Sequence, residues 1–120
     1  MAKFQNRYEV KNDEICMTDI NGVKWIVGGA SPTSLRDDVL FGPLLSYCQE
    51  PREYKWFSNA LHAGSTFVDV GANVGGYSVR ACKIGARVIA VEPDPDNCRV
   101  LKLNLELNPC TNAHVLNIAA

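Results

Sequence analysis

Apolar residues in the second half of the chain fall into short blocks, Phe67-Val-Asp-Val70 and Arg87-Val-Ile-Ala-Val91, separated by longer amphipathic stretches. Short β-branched runs of this kind suit buried strands, whereas the stretches between them carry a helical period. The pattern predicts a strand at 66–70, a helix from about 74 to 84, a strand at 86–91, a helix at 95–107 and a strand at 113–119. Strict alternation of this type implies parallel strands joined by right-handed crossovers. In the second of these helices Cys98, Leu101 and Leu105 face inward, with Val100 and Leu107 on the flank. Asp94 and Pro95 suit its cap and first turn, and Asn108-Pro109 marks its end.

The first half reads differently. Residues 14–20 and 23–27 are two apolar-rich runs around Asn21-Gly22, the dipeptide best suited to a two-residue hairpin turn with positive φ. The run Gly28-Gly-Ala-Ser-Pro-Thr-Ser34 interrupts the pattern; a helix then begins near Ser34, runs through Leu40 and stops at Gly42-Pro43, and residues 44–49 add a further turn or two. Pro51 suits the first position of another helix, where Tyr54, Phe57 and Leu61 recur on one face with Trp56 beside them and Gly64 closes it. No repeat, low-complexity segment or linker interrupts the chain. One domain is expected, with an N-terminal hairpin and helices over 1–63 packing as a unit on a βαβαβ half over 64–120.

With 120 residues, 47% of them hydrophobic and 21% charged, the chain can bury a core. A formal net charge of −1 and a pI near 6.1 give no electrostatic footprint for nucleic acid or an anionic membrane, so neither is expected as a partner. No apolar stretch reaches the ~20 residues of a spanning helix, and the run Met1-Ala-Lys-Phe-Gln-Asn-Arg-Tyr-Glu9 lacks the apolar centre of a signal peptide; a cytoplasmic location is the expectation. Cys16, Cys48, Cys82, Cys98 and Cys110 contain no Cys-x-x-Cys pair and read as free thiols. His62 and His114 have no metal-spaced partner, so no metal is expected.

The chemistry concentrates in Thr66-Phe-Val-Asp-Val-Gly-Ala-Asn-Val-Gly-Gly-Tyr-Ser78, an apolar strand that ends in a carboxylate and passes into a glycine-rich loop opening a helix. Gly71, Gly75 and Gly76 let the backbone turn tightly and approach a ligand. A dinucleotide fingerprint needs Gly-x-Gly-x-x-Gly with the pyrophosphate on the helix N-terminus, and Asn73 stands where its second glycine belongs. Asp69 would also repel a pyrophosphate. A carboxylate there suits a ligand with a cationic end and no phosphate, such as S-adenosylmethionine with its ammonium group. Glu92, at the carboxyl end of the next strand and 21 positions after Gly71, is placed to accept ribose hydroxyls. Glu92 alone does not separate that cofactor from NAD.

Three stretches in register, 67–77, Val91-Glu-Pro-Asp-Pro-Asp-Asn97 and Asn104-Leu-Glu-Leu-Asn108, resemble the FkbM-type S-adenosylmethionine-dependent methyltransferases. The resemblance implies an α/β fold with a Rossmann-like parallel sheet of the methyltransferase type, here truncated after its third parallel strand. It implies cofactor contacts at Asp69, Gly71, Ala72, Asn73, Gly75, Glu92 and Pro93, and O-methyl transfer to a small-molecule or sugar acceptor. Such sheets usually have seven strands, so the acceptor-facing groups would lie beyond Ala120, and no catalytic residue is assigned. The strand bearing Asp69 is then left with an open edge, which predicts a homo-oligomer or a completing partner chain.

Each motif also has a plainer reading. Asp94 and Asp96 suit a helix N-terminus for dipole reasons alone. Asn97, Asn104 and Asn108 can be solvated or cap the helix, and Tyr77 and Trp25 can be core aromatics rather than sulfonium contacts. For the whole chain, the alternatives to a methyltransferase are a non-catalytic S-adenosylmethionine-binding or assembly module, a nicotinamide-dependent fragment, and a purely structural α/β protein.

Overall fold

A computed structural model describes residues 7–11, 13–19, 22–29 and 51–120. Cys48, Asn21 and the helices expected over 34–49 lie outside the described residues. Two three-stranded sheets share one core. The first is antiparallel, in the order β1 (Arg7–Lys11), β2 (Glu14–Thr18), β3 (Lys24–Gly29). The second is parallel, in the order β4 (Thr66–Val70), β5 (Arg87–Val91), β6 (Ala113–Leu116). Helix α1 (Pro51–Ala60) precedes β4, α2 (Ser78–Ile84) joins β4 to β5, and α3 (Pro95–Leu107) joins β5 to β6.

The hairpin expected around Asn21-Gly22 is present as β2–β3, but its closing bond runs from the Asp19 amide to the Val23 carbonyl at 2.9 Å. Three residues therefore lie between the closing pair, not two. Gly22, with φ +77°, donates its amide to the Asp19 carbonyl, as the left-handed residue of a longer hairpin loop does. Strand β1 was not expected. Its five residues include three charged ones, and Arg7, Glu9 and Val10 are exposed, so it carries little apolar signal.

In the parallel half the alternation is as expected, with three elements shorter, β5 by a single residue at its start. The helix expected from about 74 begins at Ser78, because Asn73 (φ +55°) and Gly75 (φ +97°) hold left-handed conformations that no α-helix admits. Strand β6 ends at Leu116 rather than 119, and the next residue, Asn117, turns its side-chain amide onto the carbonyls of Glu92 (3.0 Å) and Pro93 (2.8 Å). Helix α2 closes at Gly85 (φ +104°), with Ala86 bonding back to the Ala81 carbonyl and Gly85 to that of Cys82. Helix α3 starts as read, with Asp94 Oδ1 accepting from the amides of Asp96 (2.8 Å) and Asn97 (3.3 Å).

One face of the parallel sheet, with Phe67, Val88, Ala90, Ala113 and Val115, packs against Phe57, Val79, Ala81, Leu101 and Leu105 from the three helices. Met17, Val23 and Trp25 of the antiparallel sheet join that cluster. On β4 the alternate residues Val68 and Val70 are 54% and 63% exposed, and β4 pairs only with β5 among the described residues. Among the described residues, that outer face of β4 is therefore left uncovered.

Candidate cofactor site

Parallel strands end together in this register, Asp69 beside Ala90 and Val70 beside Val91, so the residues following each strand meet. Ligands of open α/β sheets bind at that end. Gly71 and Ala72 both donate their amides to the Val91 carbonyl, at 2.8 and 3.0 Å, which folds the loop back across β5. Ala72 is buried and offers the loop its backbone rather than a ligand-facing side chain. Gly71, at φ +75°, has no atom within 4 Å of where a Cβ would stand, leaving open space beside it.

Glu92 is only 5% exposed, and its two oxygens are both engaged: Oε1 accepts the Asn73 amide and Oε2 the Asp94 amide, each at 2.9 Å. Each oxygen keeps capacity for a second donor, so ribose hydroxyls can add to this arrangement. The Asn73 amide bond also holds that residue in its left-handed conformation. Asn73 Oδ1 is buried without a hydrogen-bond partner, an orphan acceptor that a ligand's N–H or O–H would satisfy. Pro93 is exposed and contributes its carbonyl to Asn117.

Asp69 is partly buried and accepts a 2.6 Å hydrogen bond from Ser78 Oγ at Oδ2. Burial pushes its carboxyl above the usual range and the neighbouring charge of Glu92 adds to this, while the Ser78 hydroxyl and amide act in the opposite direction. Two carboxylates and an orphan amide oxygen are a donor-hungry set. They suit a cationic ammonium and a neutral diol and disfavour phosphate.

The seven expected residues thus cluster around the ends of β4 and β5, and the structure adds others. Ser78, not singled out in the sequence, fixes Asp69. Asn104 and Asn108 are not solvated: Asn104 is fully buried, its Oδ1 accepting the Ile26 amide and its Nδ2 donating to the Val74 carbonyl, both at 2.8 Å. Asn108 grips Lys24 through the strand's amide (2.9 Å) and carbonyl (2.7 Å). Their signal was present as polar residues at helical spacing on the apolar face of α3. Trp25 is fully buried with Nε1 on Asp19 Oδ2 at 3.0 Å, and Tyr77 lies edge-on to Phe57 at 5.1 Å, so both are core aromatics. Cys110 is pushed up to about 12 by burial and its neighbour Cys82 and is an inert thiol.

The fold is the Rossmann-like fold of S-adenosylmethionine-dependent methyltransferases. Pyrococcus horikoshii TYW2, solved in complex with MeSAdo, matches with a TM-score of 0.57 and 21% identity over 91% of this chain and 37% of its own. The C-terminal domain of precorrin-6Y C5,15-methyltransferase from Rhodobacter capsulatus matches at 0.54 with 24% identity, over 58% of this chain and 39% of its own. TYW2 of M. jannaschii, solved in complex with AdoMet, matches at 0.53 with 17% identity, over 99% of this chain and 45% of its own. No family model matches, so the resemblance to the FkbM type in particular is not supported. Among curated proteins, a tRNA (guanine(37)-N(1))-methyltransferase of Danio rerio is 38% identical over 56 residues, 47% of this chain and 12% of that protein. This chain therefore spans a small part of that relative and under half of each structural neighbour named. The expectation that excluded nucleic acid is corrected by this relative: a mild net charge summed over a chain says little about an acceptor that other parts of a protein can hold.

Proposed function

We propose that this chain forms the S-adenosylmethionine-binding part of a methyltransferase. The observation that carries the reading is the pairing of Asp69 and Glu92 across a glycine-rich loop whose Asn73 Oδ1 is buried without a partner. Asp69, steadied by Ser78, would take the ammonium end; Glu92 and Asn73 would take the ribose side; the backbone of residues 71–75 would lie against the ligand. When bound, S-adenosylmethionine supplies an electrophilic methyl group on a sulfonium. This chain's residues orient it, and alignment with an acceptor at roughly 3 Å is what methyl transfer chiefly requires of a protein.

For the acceptor, the Danio rerio relative favours a base in structured RNA over a small molecule or sugar. Calorimetric titration with S-adenosylhomocysteine tests the first part. Binding near the micromolar range (about −8 kcal/mol), weakened in Asp69→Asn and Glu92→Gln, supports it, and no binding by the unaltered chain overturns it. Transfer of a tritiated methyl group to bulk tRNA tests the second. Cofactor binding without transfer to RNA or to any small acceptor selects a non-catalytic binding module.

A further inference from the structure

The loop over 71–77 does not hold its own shape. Gly71, Asn73 and Gly75 all have positive φ, and for Asn73 this conformation costs roughly 1 kcal/mol unless its surroundings impose it. Glu92 imposes it from the strand side. Two further side chains reach the loop from the protein interior: Asn104 Nδ2 donates to the Val74 carbonyl at 2.8 Å, and Arg80 Nη1 donates to the Gly76 carbonyl.

Both of these are themselves set by the antiparallel sheet. Asn104 Oδ1 takes the amide of Ile26 on β3. The Arg80 guanidinium lies 5.0 Å over the Trp25 ring with Nη2 4.0 Å from Asp19 Oδ2. Asp19 is in turn fixed by the Val23 amide and Trp25 Nε1, each at 3.0 Å. Both Arg80 and Asn104 are buried, where a lost partner is felt in full because water cannot replace it. We propose that the N-terminal sheet keys the cofactor loop into its ligand-ready shape through Asn104 and Arg80, acting as positioning residues. The inference rests on the cofactor reading above.

Asn108 provides a control inside the same helix. It grips β3 as firmly as Asn104 does, and its described bonds reach Lys24 and Asn104 but not the loop. The experiment uses the full chain and two readouts, the affinity for S-adenosylhomocysteine and the hydrogen exchange of the Asn73 amide, referenced to the Val88 amide in the core of the sheet. Asn104→Ala is expected to weaken binding about tenfold and to speed Asn73 exchange about tenfold relative to Val88. Arg80→Lys, which keeps the charge and loses the fork, moves both readouts in the same direction by less. Asn108→Ala lowers stability and leaves both at their original values. If Asn104→Ala does not fold, Arg80→Lys and Asp19→Asn decide the matter. Variants of Asn104, Arg80 and Asp19 that behave as Asn108→Ala does would overturn the inference. Should the unaltered chain fail to bind the ligand, the cofactor reading falls, and the exchange ratio still decides whether the sheet holds the loop.

Discussion

The ends of β4 and β5 each carry a carboxylate, and the two are treated in opposite ways by their surroundings. Glu92 accepts a backbone amide on each oxygen and is nearly sealed in the fold. Asp69 is held by Ser78, through its hydroxyl and its amide, yet burial still pushes its carboxyl up. A carboxylate that two amides already solvate is part of the structure before any ligand arrives. One that is desolvated, close to a second negative charge, is a site still short of a cation. The difference divides the two residues: Glu92 shapes the loop, and on the proposed reading Asp69 is the one that takes the ligand's charge.

The sharpest way to break this contrast is to remove Glu92. Glu92→Ala strands the amides of Asn73 and Asp94, and hydrogen bonds to a charged acceptor contribute about 1.5–3 kcal/mol each. Urea unfolding followed by circular dichroism should show a loss of roughly 3 kcal/mol, together with loss of S-adenosylhomocysteine binding. A loss below about 1 kcal/mol would mean that Glu92 is no more structural than Asp69.

Next in size is the floor beneath the loop. A Cβ on Gly75 would stand 2.7 Å from Leu101 Cδ1, at a φ of +97° that alanine resists. Gly75→Ala should cost about 2 kcal/mol of stability and weaken binding, because overpacking and backbone strain add. Unchanged stability would show that Leu101 yields freely.

Asp69→Asn should behave in the opposite sense to Glu92→Ala. With its folded pKa above the ordinary 3.8, Asp69 holds its proton more tightly in the folded state, so protonated Asp69 favours the fold below that value, and the contribution is lost as pH rises through the raised pKa. Asparagine can still accept from Ser78 and carries no charge to bury. Near neutral pH the variant should be as stable as the original chain or slightly more so, with affinity for S-adenosylhomocysteine reduced about tenfold. The original chain should also bind more weakly as pH falls through the raised pKa of Asp69, while the variant's affinity stays flat across that window. A pH-independent affinity in the original chain would remove Asp69 from the ligand.

Much of this was legible in the residues. The parallel half could be read because its strands are continuous apolar runs and its second helix carries an N-cap, a proline at its start and an asparagine at its end, all local signals. That Asp69, Asn73 and Glu92 come together could be foreseen because the spacing of strand end, loop and next strand end is itself local. The supports were not. Asn104 joins Ile26 and Val74, 78 and 30 positions away, and Asn108 joins Lys24, 84 positions away, so only the packed fold shows that these amides are buried and answered. The start of α2 was misplaced for a related reason: helical period continues through 74–77, but the backbone there is committed to the loop by Asn73 and Gly75.

The finest test compares Gly71 with the two carboxylates it adjoins. Its φ of +75° places it in the left-handed region, yet no atom lies within 4 Å of where a side chain would begin. Gly71→Ala therefore meets strain without a clash, and a cost near 1 kcal/mol is expected in unfolding experiments. Its effect on binding separates two roles. If the space beside Gly71 is where the cofactor backbone passes, the added methyl group should weaken S-adenosylhomocysteine binding by more than its stability cost implies, with the Asn73 amide still protected by Glu92. If affinity changes no more than stability does, Gly71 serves only the turn, and the ligand's path runs closer to Asp69 than to the loop.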